Sequence, residues 1–151
     1  MVILAVDYGD TRTGLAVCDK NMMLASPAGL ITEPGMNKTV IQIVEYAKEH
    51  KVDRVVVGLP KNMDGTLGER ANACMVAARK IRGRLQNDRI PVDMYDERVT
   101  TVAAIGFLNE MDVRGKERKQ TVDQLAAAII LEGYMTYLKN NGEDSFFFNK
   151  Y

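Results

Sequence analysis

Histidine is nearly missing from this sequence. The single one, His50, falls near the end of an expected helix, where a solvated cation facing the helix C-terminus accounts for it. Serine–histidine, cysteine–histidine and zinc–histidine chemistries are therefore set aside. The two cysteines, Cys18 and Cys74, sit in apolar contexts without metal-ligand spacing and read as small buried hydrophobes of a reducing compartment. Excess charge of either sign is also missing, with 20 basic and 20 acidic side chains. No whole-molecule field draws the protein to nucleic acid or membrane, so any such partner has to be met by a local patch. Long apolar runs are absent too. The N-terminal run Val2-Ile3-Leu4-Ala5-Val6 lacks a basic flank and is shorter than a signal-peptide core, and no later stretch could span a bilayer. The chain reads as cytoplasmic, with no membrane partner.

What is present is a chain of 151 residues, enough for one domain with a sizeable core and no staples. Its organising stretch is Asp7-Tyr8-Gly9-Asp10-Thr11-Arg12-Thr13-Gly14. The run before it has the length and β-branched content of a strand buried on both faces, and it stops on the carboxylate of Asp7. A second run, Leu15-Ala16-Val17-Cys18, follows a turn rich in Gly, Asp and Thr, so the two form a hairpin with Asp7 at its mouth. Asp7 either caps that turn through its own backbone or marks a site, since ligands of open α/β sheets gather at the carboxyl ends of central strands.

Further along, Met22 to Ile31 reads as an edge strand because Pro27 cannot donate to a central ladder. Asn37 is the expected cap of a helix with Val40, Ile41, Val44 and Ala47 inward. Val52 to Leu59 is a strand closing on Gly58-Leu59-Pro60, and Lys61 to Gly68 carries turn chemistry. A helix from Glu69 buries Ala71, Met75, Ala78, Ile81 and Leu85 and leaves Arg70, Arg79, Lys80, Arg82 and Arg84 on its other face. Ile90, Val92 and Met94 alternate as a short strand that ends at Asp96-Glu97-Arg98. A helix capped by Thr100 or Thr101 and an exposed charged loop from Asp112 to Gln120 are expected next. Thr121 then opens a last helix with a stripe of Val122, Leu125, Ile129, Gly133 and Tyr137. The aromatic tail Phe146-Phe147-Phe148 is an apolar patch that has to cover its own domain or a partner.

This order implies a mixed α/β sheet with helices on both faces, its first three strands antiparallel and the later ones parallel. Right-handed crossovers would bring Asp7, the Gly58-Leu59-Pro60 corner and Glu97 to one sheet edge. Two carboxylates beside a Gly-rich loop, with no histidine, suit a hard divalent cation, Mg2+ or Mn2+. Asp123 is a candidate third acid, although an acid in a first helical turn is also favoured by the dipole alone. Glu69, Asp10, Asp64 and Asp96 read as dipole, turn or solvated residues.

Four segments in register carry a resemblance: Asp7-Tyr8-Gly9-x-x-Arg12-x-Gly14, Val57-Gly58-Leu59-Pro60 with Asp64-Gly65, Asp96-Glu97-Arg98 with Thr100-Thr101, and Val122-Asp123 leading into Ala126-Ala127 and Ile129-Ile130-Leu131-Glu132. Together they resemble the YqgF/RuvX family over about residues 2 to 138. The resemblance implies a ribonuclease H-like nuclease domain over 1–138, with 139–151 as a C-terminal tail. It also implies a metal-dependent hydrolase of phosphodiester bonds, acting on the 5′ end of pre-16S rRNA or on Holliday junctions. The family's acidic triad falls on Asp7, Glu97 and Asp123, which would be both catalytic residues and metal ligands. Arg12 and Arg98 fall on its basic positions, and basic side chains of the Arg70 to Arg84 helix and of the Arg114 to Lys119 loop, Lys119 among them, could hold a nucleic-acid backbone. Lys119-Gln120-Thr121 departs from the family where a glycine or small residue often precedes the valine, and this leaves the acids intact.

Two-metal hydrolysis, with ions about 3.5–4 Å apart, is the mechanism this suggests. A resolvase, having two strands to cut, would need a homodimer with sites related by a two-fold axis. Two other readings stand beside it. The first hairpin also resembles the phosphate-binding turn of actin-like ATPases and sugar kinases, which close two such domains over a nucleotide where this chain has one. A non-catalytic RNA-binding factor for ribosome assembly or transcription could keep the fold and use only the basic face.

Overall fold

The computed structural model describes residues 1–62, 64–96 and 115–148, with the backbone alone for 115–124. The described strands are β1 (Ile3–Asp7), β2 (Thr13–Cys18), β3 (Ala25–Ile31), β4 (Arg54–Leu59) and β5 (Val92–Asp96), in one sheet of order β3-β2-β1-β4-β5. β1 pairs antiparallel with β2, and β2 antiparallel with β3. β1 pairs parallel with β4, and β4 parallel with β5. This is the expected mixed sheet, with the Pro27 strand at its edge. β1 is central and its five residues are all buried.

The described helices are α1 (Met36–Glu49), α2 (Glu69–Leu85) and α3 (Gly115–Asn141). Side chains alternate across the pleat and build two cores. Leu4, Val6, Leu15, Val55 and Val57 pack with α1 and α2, while Ile3, Ala5, Ala16, Cys18 and Val56 pack with α3. The second face includes small residues on both sides, Ala5 and Ala16 of the sheet and Ala127 and Ala128 of α3. Gly133 of α3 continues that rule, because a Cβ there would stand 2.9 Å from the Tyr95 ring of β5.

Three expectations are corrected. The helix after Gly35 starts at Met36 with Gly35 at its N-cap and no side-chain cap, so Asn37 is not the cap; its Oδ1 accepts a hydrogen bond from Lys80 Nζ at 2.8 Å and ties α1 to α2. The charged stretch 115–120 is helical, and α3 begins six residues before Thr121. Lys, Glu, Arg and Gln are good helix formers, and their charge alone does not make a loop. The buried seam of α3 also differs from the expected stripe: Ile130, Leu131, Tyr134 and Leu138 are fully buried, with Ile129 of that stripe buried at the seam's margin. The expected helix after Thr100 and the residues Glu97 and Arg98 lie outside the described residues.

The aromatic tail packs on its own domain, along the outer strand β5. Phe147 N–H and Phe148 N–H donate to the two carboxylate oxygens of Asp93 at 2.6 and 2.8 Å. The Tyr134 hydroxyl donates to the same carboxylate at 2.7 Å and accepts from Arg54 Nη1 at 2.9 Å. Arg54 also donates to the carbonyls of Ser145 and Glu143, each at 2.8 Å, and its guanidinium lies 4.1 Å from the Phe146 ring centre. Burial, then the Asp93 carboxylate, push the Tyr134 hydroxyl well above its ordinary pKa. Among the described residues no helix is long and apolar enough to cross a membrane.

Candidate active site

β1 runs its apolar residues through the centre of the sheet and delivers Asp7 at the carboxyl end, opposite Gly14 of β2. Asp7 is 7% exposed, one of five buried polar or charged side chains among the described residues. A buried carboxylate with an open side is costly unless charge or hydrogen bonds meet it. Arg70 Nη2, from the first turn of α2, stands 3.6 Å from Asp7 Oδ1 while its own side chain is 63% exposed.

The turn between β1 and β2 is tightly made. Thr13 Oγ1 and Gly9 exchange hydrogen bonds at 3.3 Å, the Gly9 N–H donating to the hydroxyl and the hydroxyl to the Gly9 carbonyl. A Cβ on Gly9 would collide with the Arg12 carbonyl oxygen, so only glycine fits there. Tyr8 turns inward and is buried; burial first, then the neighbouring Asp10 and Cys74, push its phenol pKa up. The Cys74 thiol of α2 lies under the same turn, 3.8 Å from the Tyr8 carbonyl oxygen.

Asp7, Tyr8, Asp10, Arg12, Arg70 and Ala73 are among the residues that line a cleft of about 360 Å³. It has one deeply set acid, a second acid at its rim and two arginines, with the start of α2 forming one wall. Arg12 is half-buried there. Arg70 was legible only as part of a basic helix face. Its signal was position, in the first turn of the helix that follows the Gly58-Leu59-Pro60 corner.

The remaining expected site residues divide in two. Glu97 and Arg98 lie outside the described residues, next after Asp96, where β5 ends level with Leu59 of β4. Asp123 and Lys119 lie on α3, of which the backbone alone is described at those positions. Tyr134, eleven residues later, meets Arg54 at the opposite, amino end of β4. A helical rise of ~1.5 Å per residue sets residue 123 about 16 Å away along α3 from that point. Asp64 has a turn role, accepting from both the N–H and the hydroxyl of Thr66 at 3.0 and 2.7 Å. Among the described residues no three His, Cys, Asp or Glu side chains stand together as a metal site.

Comparison with known proteins adds the following. A family model described as "RuvX: Holliday junction resolvase" matches residues 1–137. A Lachnospira eligens protein bearing the name "Putative pre-16S rRNA nuclease" is 42% identical over 138 residues, which is 89% of this chain and 96% of that protein. A Bacillus cereus (strain B4264) protein of the same name is 42% identical over 139 residues, 89% of this chain and 98% of that protein. Among solved structures, T. thermophilus RuvC in complex with a Holliday junction substrate superposes with a TM-score of 0.58 at 15% identity, over 94% of this chain and 96% of that one. The Fowlpox virus resolvase in complex with Holliday junction DNA gives 0.57 at 15% identity, over 91% and 99%. At such identities the likeness speaks to the fold, which is ribonuclease H-like.

Proposed function

The chain belongs to the RuvX Holliday junction resolvase family and is, as a nuclease, a hydrolase of nucleic-acid phosphodiester bonds; on that premise we propose that hydrolysis takes place in the Asp7 cleft and that its substrate is the 5′ leader of pre-16S rRNA. The observation that carries the site is Asp7 itself, buried at the carboxyl end of the central strand yet lining an open cleft with two arginines. The choice of substrate is supported by relatives of that name that match nearly end to end at 42% identity, against 15% for the DNA-junction resolvases.

The donor set fits Mg2+ or Mn2+, which take carboxylate and water oxygens and do not need a closed protein cage. Asp7 would hold the cation, with Glu97 and Asp123 as the further ligands that the family resemblance assigns. A bound divalent cation supplies Lewis acidity and neutralises charge on the phosphodiester oxygens. The chain's own residues do the rest. Arg12 and Arg70 set the phosphate in the cleft through charge-assisted hydrogen bonds. Arg98 and Lys119 extend that hold along the backbone, giving salt-sensitive binding with little sequence reading. Arg70, whose exposed side chain reaches only the rim of Asp7, would be free to turn to the phosphate where a cation held that carboxylate. Two buried free thiols, Cys18 and Cys74, agree with work in the reducing cytoplasm. One RNA end needs one site, so the homodimer that junction cleavage would require is not invoked.

The test is cleavage by the purified protein of two substrates, an RNA carrying the 5′ leader and a four-way DNA junction, in magnesium, manganese or calcium, with contaminating nucleases excluded. Leader cleavage in magnesium or manganese and none in calcium is expected. Paired cuts in the junction with the RNA left whole would transfer the site to DNA, and two intact substrates would sink the reading.

A further inference from the structure

A second cavity, about 460 Å³, lies at the other end of α2. Arg82 and Gln86 come from the end of that helix and the turn after it, Arg89 stands at a left-handed position (φ 57), Ile90 leads into β5, and Phe146 and Phe148 of the tail form the facing wall. Arg82 and Arg89 are exposed and make no ion pair among the described residues. Cations without partners beside aromatic rings are what a single nucleic-acid strand needs, charge for its phosphates and apolar faces for its bases.

The placement of this groove relative to the cleft gives it meaning. Arg70 and Ala73, in the first turns of α2, line the Asp7 cleft, and Arg82 lines the groove, so one rigid helix spans both. α2 has seventeen residues, about 24 Å at ~1.5 Å per residue. That is the reach of about seven stacked nucleotides at ~3.4 Å each. Arg79 and Arg84 are exposed along the same helix, also without ion pairs among the described residues. Lys61, just past the carboxyl end of β4, sets its ammonium 4.9 Å from the centre of the Phe148 ring.

We propose that the Arg82–Arg89–Phe148 groove is an anchor for single-stranded nucleic acid, holding the strand about seven nucleotides from the phosphate bound in the Asp7 cleft. The anchor rests on the nuclease reading of that cleft and adds a length requirement to it. Strands too short to bridge the two ends bind through the cleft alone.

The test uses fluorescein-labelled oligouridylates of about five and about fourteen nucleotides, bound to the full chain in EDTA so that nothing is cut, with anisotropy read across a salt series. Wild type should bind the longer strand more tightly. The double variant Arg82→Gln/Arg89→Gln, with melting temperature unchanged, should lose about tenfold on the longer strand and little on the shorter, and its salt slope should become shallower by about 1.4 for two lost contacts. Equal loss on both lengths, or no loss, would overturn the anchor, the second result leaving the groove to an acidic protein partner. Failure of the nuclease reading shows separately, as wild type that binds the longer RNA but leaves it whole in magnesium and manganese.

Discussion

At the amino ends of β4 and β5, Arg54 and Asp93 are 5% and 0% exposed; at the carboxyl end of β1, Asp7 is 7% exposed, but its arginine, Arg70, has a side chain 63% exposed. The two ends of one sheet thus set an arginine and an aspartate in opposite surroundings, joined through the Tyr134 hydroxyl at one end and meeting across a cleft at the other. Asp93 accepts four hydrogen bonds of 2.6 to 2.8 Å, from Tyr134, Phe147, Phe148 and its neighbour Met94. Asp7 meets its arginine at 3.6 Å across an open cleft. A buried charge that is fully hydrogen-bonded holds structure together, and one that faces a cleft is held ready for a ligand. Burial of the acid alone does not tell the two apart; the exposure of the arginine at each end does.

The sharpest way to break this comparison is to injure the structural end. Asp93→Asn leaves an amide facing donors, and the Tyr134 hydroxyl, two tail N–H groups and Arg54 lose their compensation. Stability should fall by about 3–5 kcal/mol, the cost of breaking a buried charged network. Urea unfolding reads this, and cleavage per folded molecule should persist. A loss below about 1 kcal/mol would show that the tail is held by its aromatic packing alone.

A smaller effect follows from pH. The Tyr134 pKa lies above its ordinary value of 10.0, because burial and Asp93 disfavour the charged phenolate. A fold that favours the protonated form keeps this contribution below pH 10.0 and loses it as pH rises toward the folded value, at up to about 1.4 kcal/mol per pH unit. Tyr8, Tyr46 and Tyr95 shift upward as well. Tyr134→Phe should therefore be less stable at neutral pH, with a flatter alkaline decline that does not vanish. Urea midpoints between about pH 8 and pH 11 measure it, and an unchanged slope would mean that Tyr134 ionises without opening the network.

The same two ends show how far the residues speak for themselves. The apolar run into Asp7, the edge strand marked by Pro27 and the helix from Glu69 to Leu85 were all legible, because strand and helix periods with Pro and Gly punctuation act locally. Arg54 and Asp93 were not singled out. Their partners lie 80 and 41 residues away on Tyr134, and a lone charge in an apolar strand does not name its partner. Arg70 was read as one cation among several on a helix face, since its meeting with Asp7 depends on how the α2 N-terminus docks at the sheet edge. The Asn37 cap failed because the backbone at Gly35, with φ at 91°, opens the helix first.

The most direct measurement is a manganese titration of melting temperature for wild type and Asp7→Asn, run beside cleavage of the leader RNA. Asp7→Asn relieves a buried charge and removes a long ion pair whose arginine is exposed, so its metal-free stability should stay within about 1 kcal/mol of wild type. Manganese at a hundredfold excess over its dissociation constant should stabilise wild type by about 2.7 kcal/mol. The variant should lose that shift, and its cleavage should fall by roughly two to three orders of magnitude. A variant that keeps the full manganese shift and cuts RNA at the wild-type rate would contradict the account.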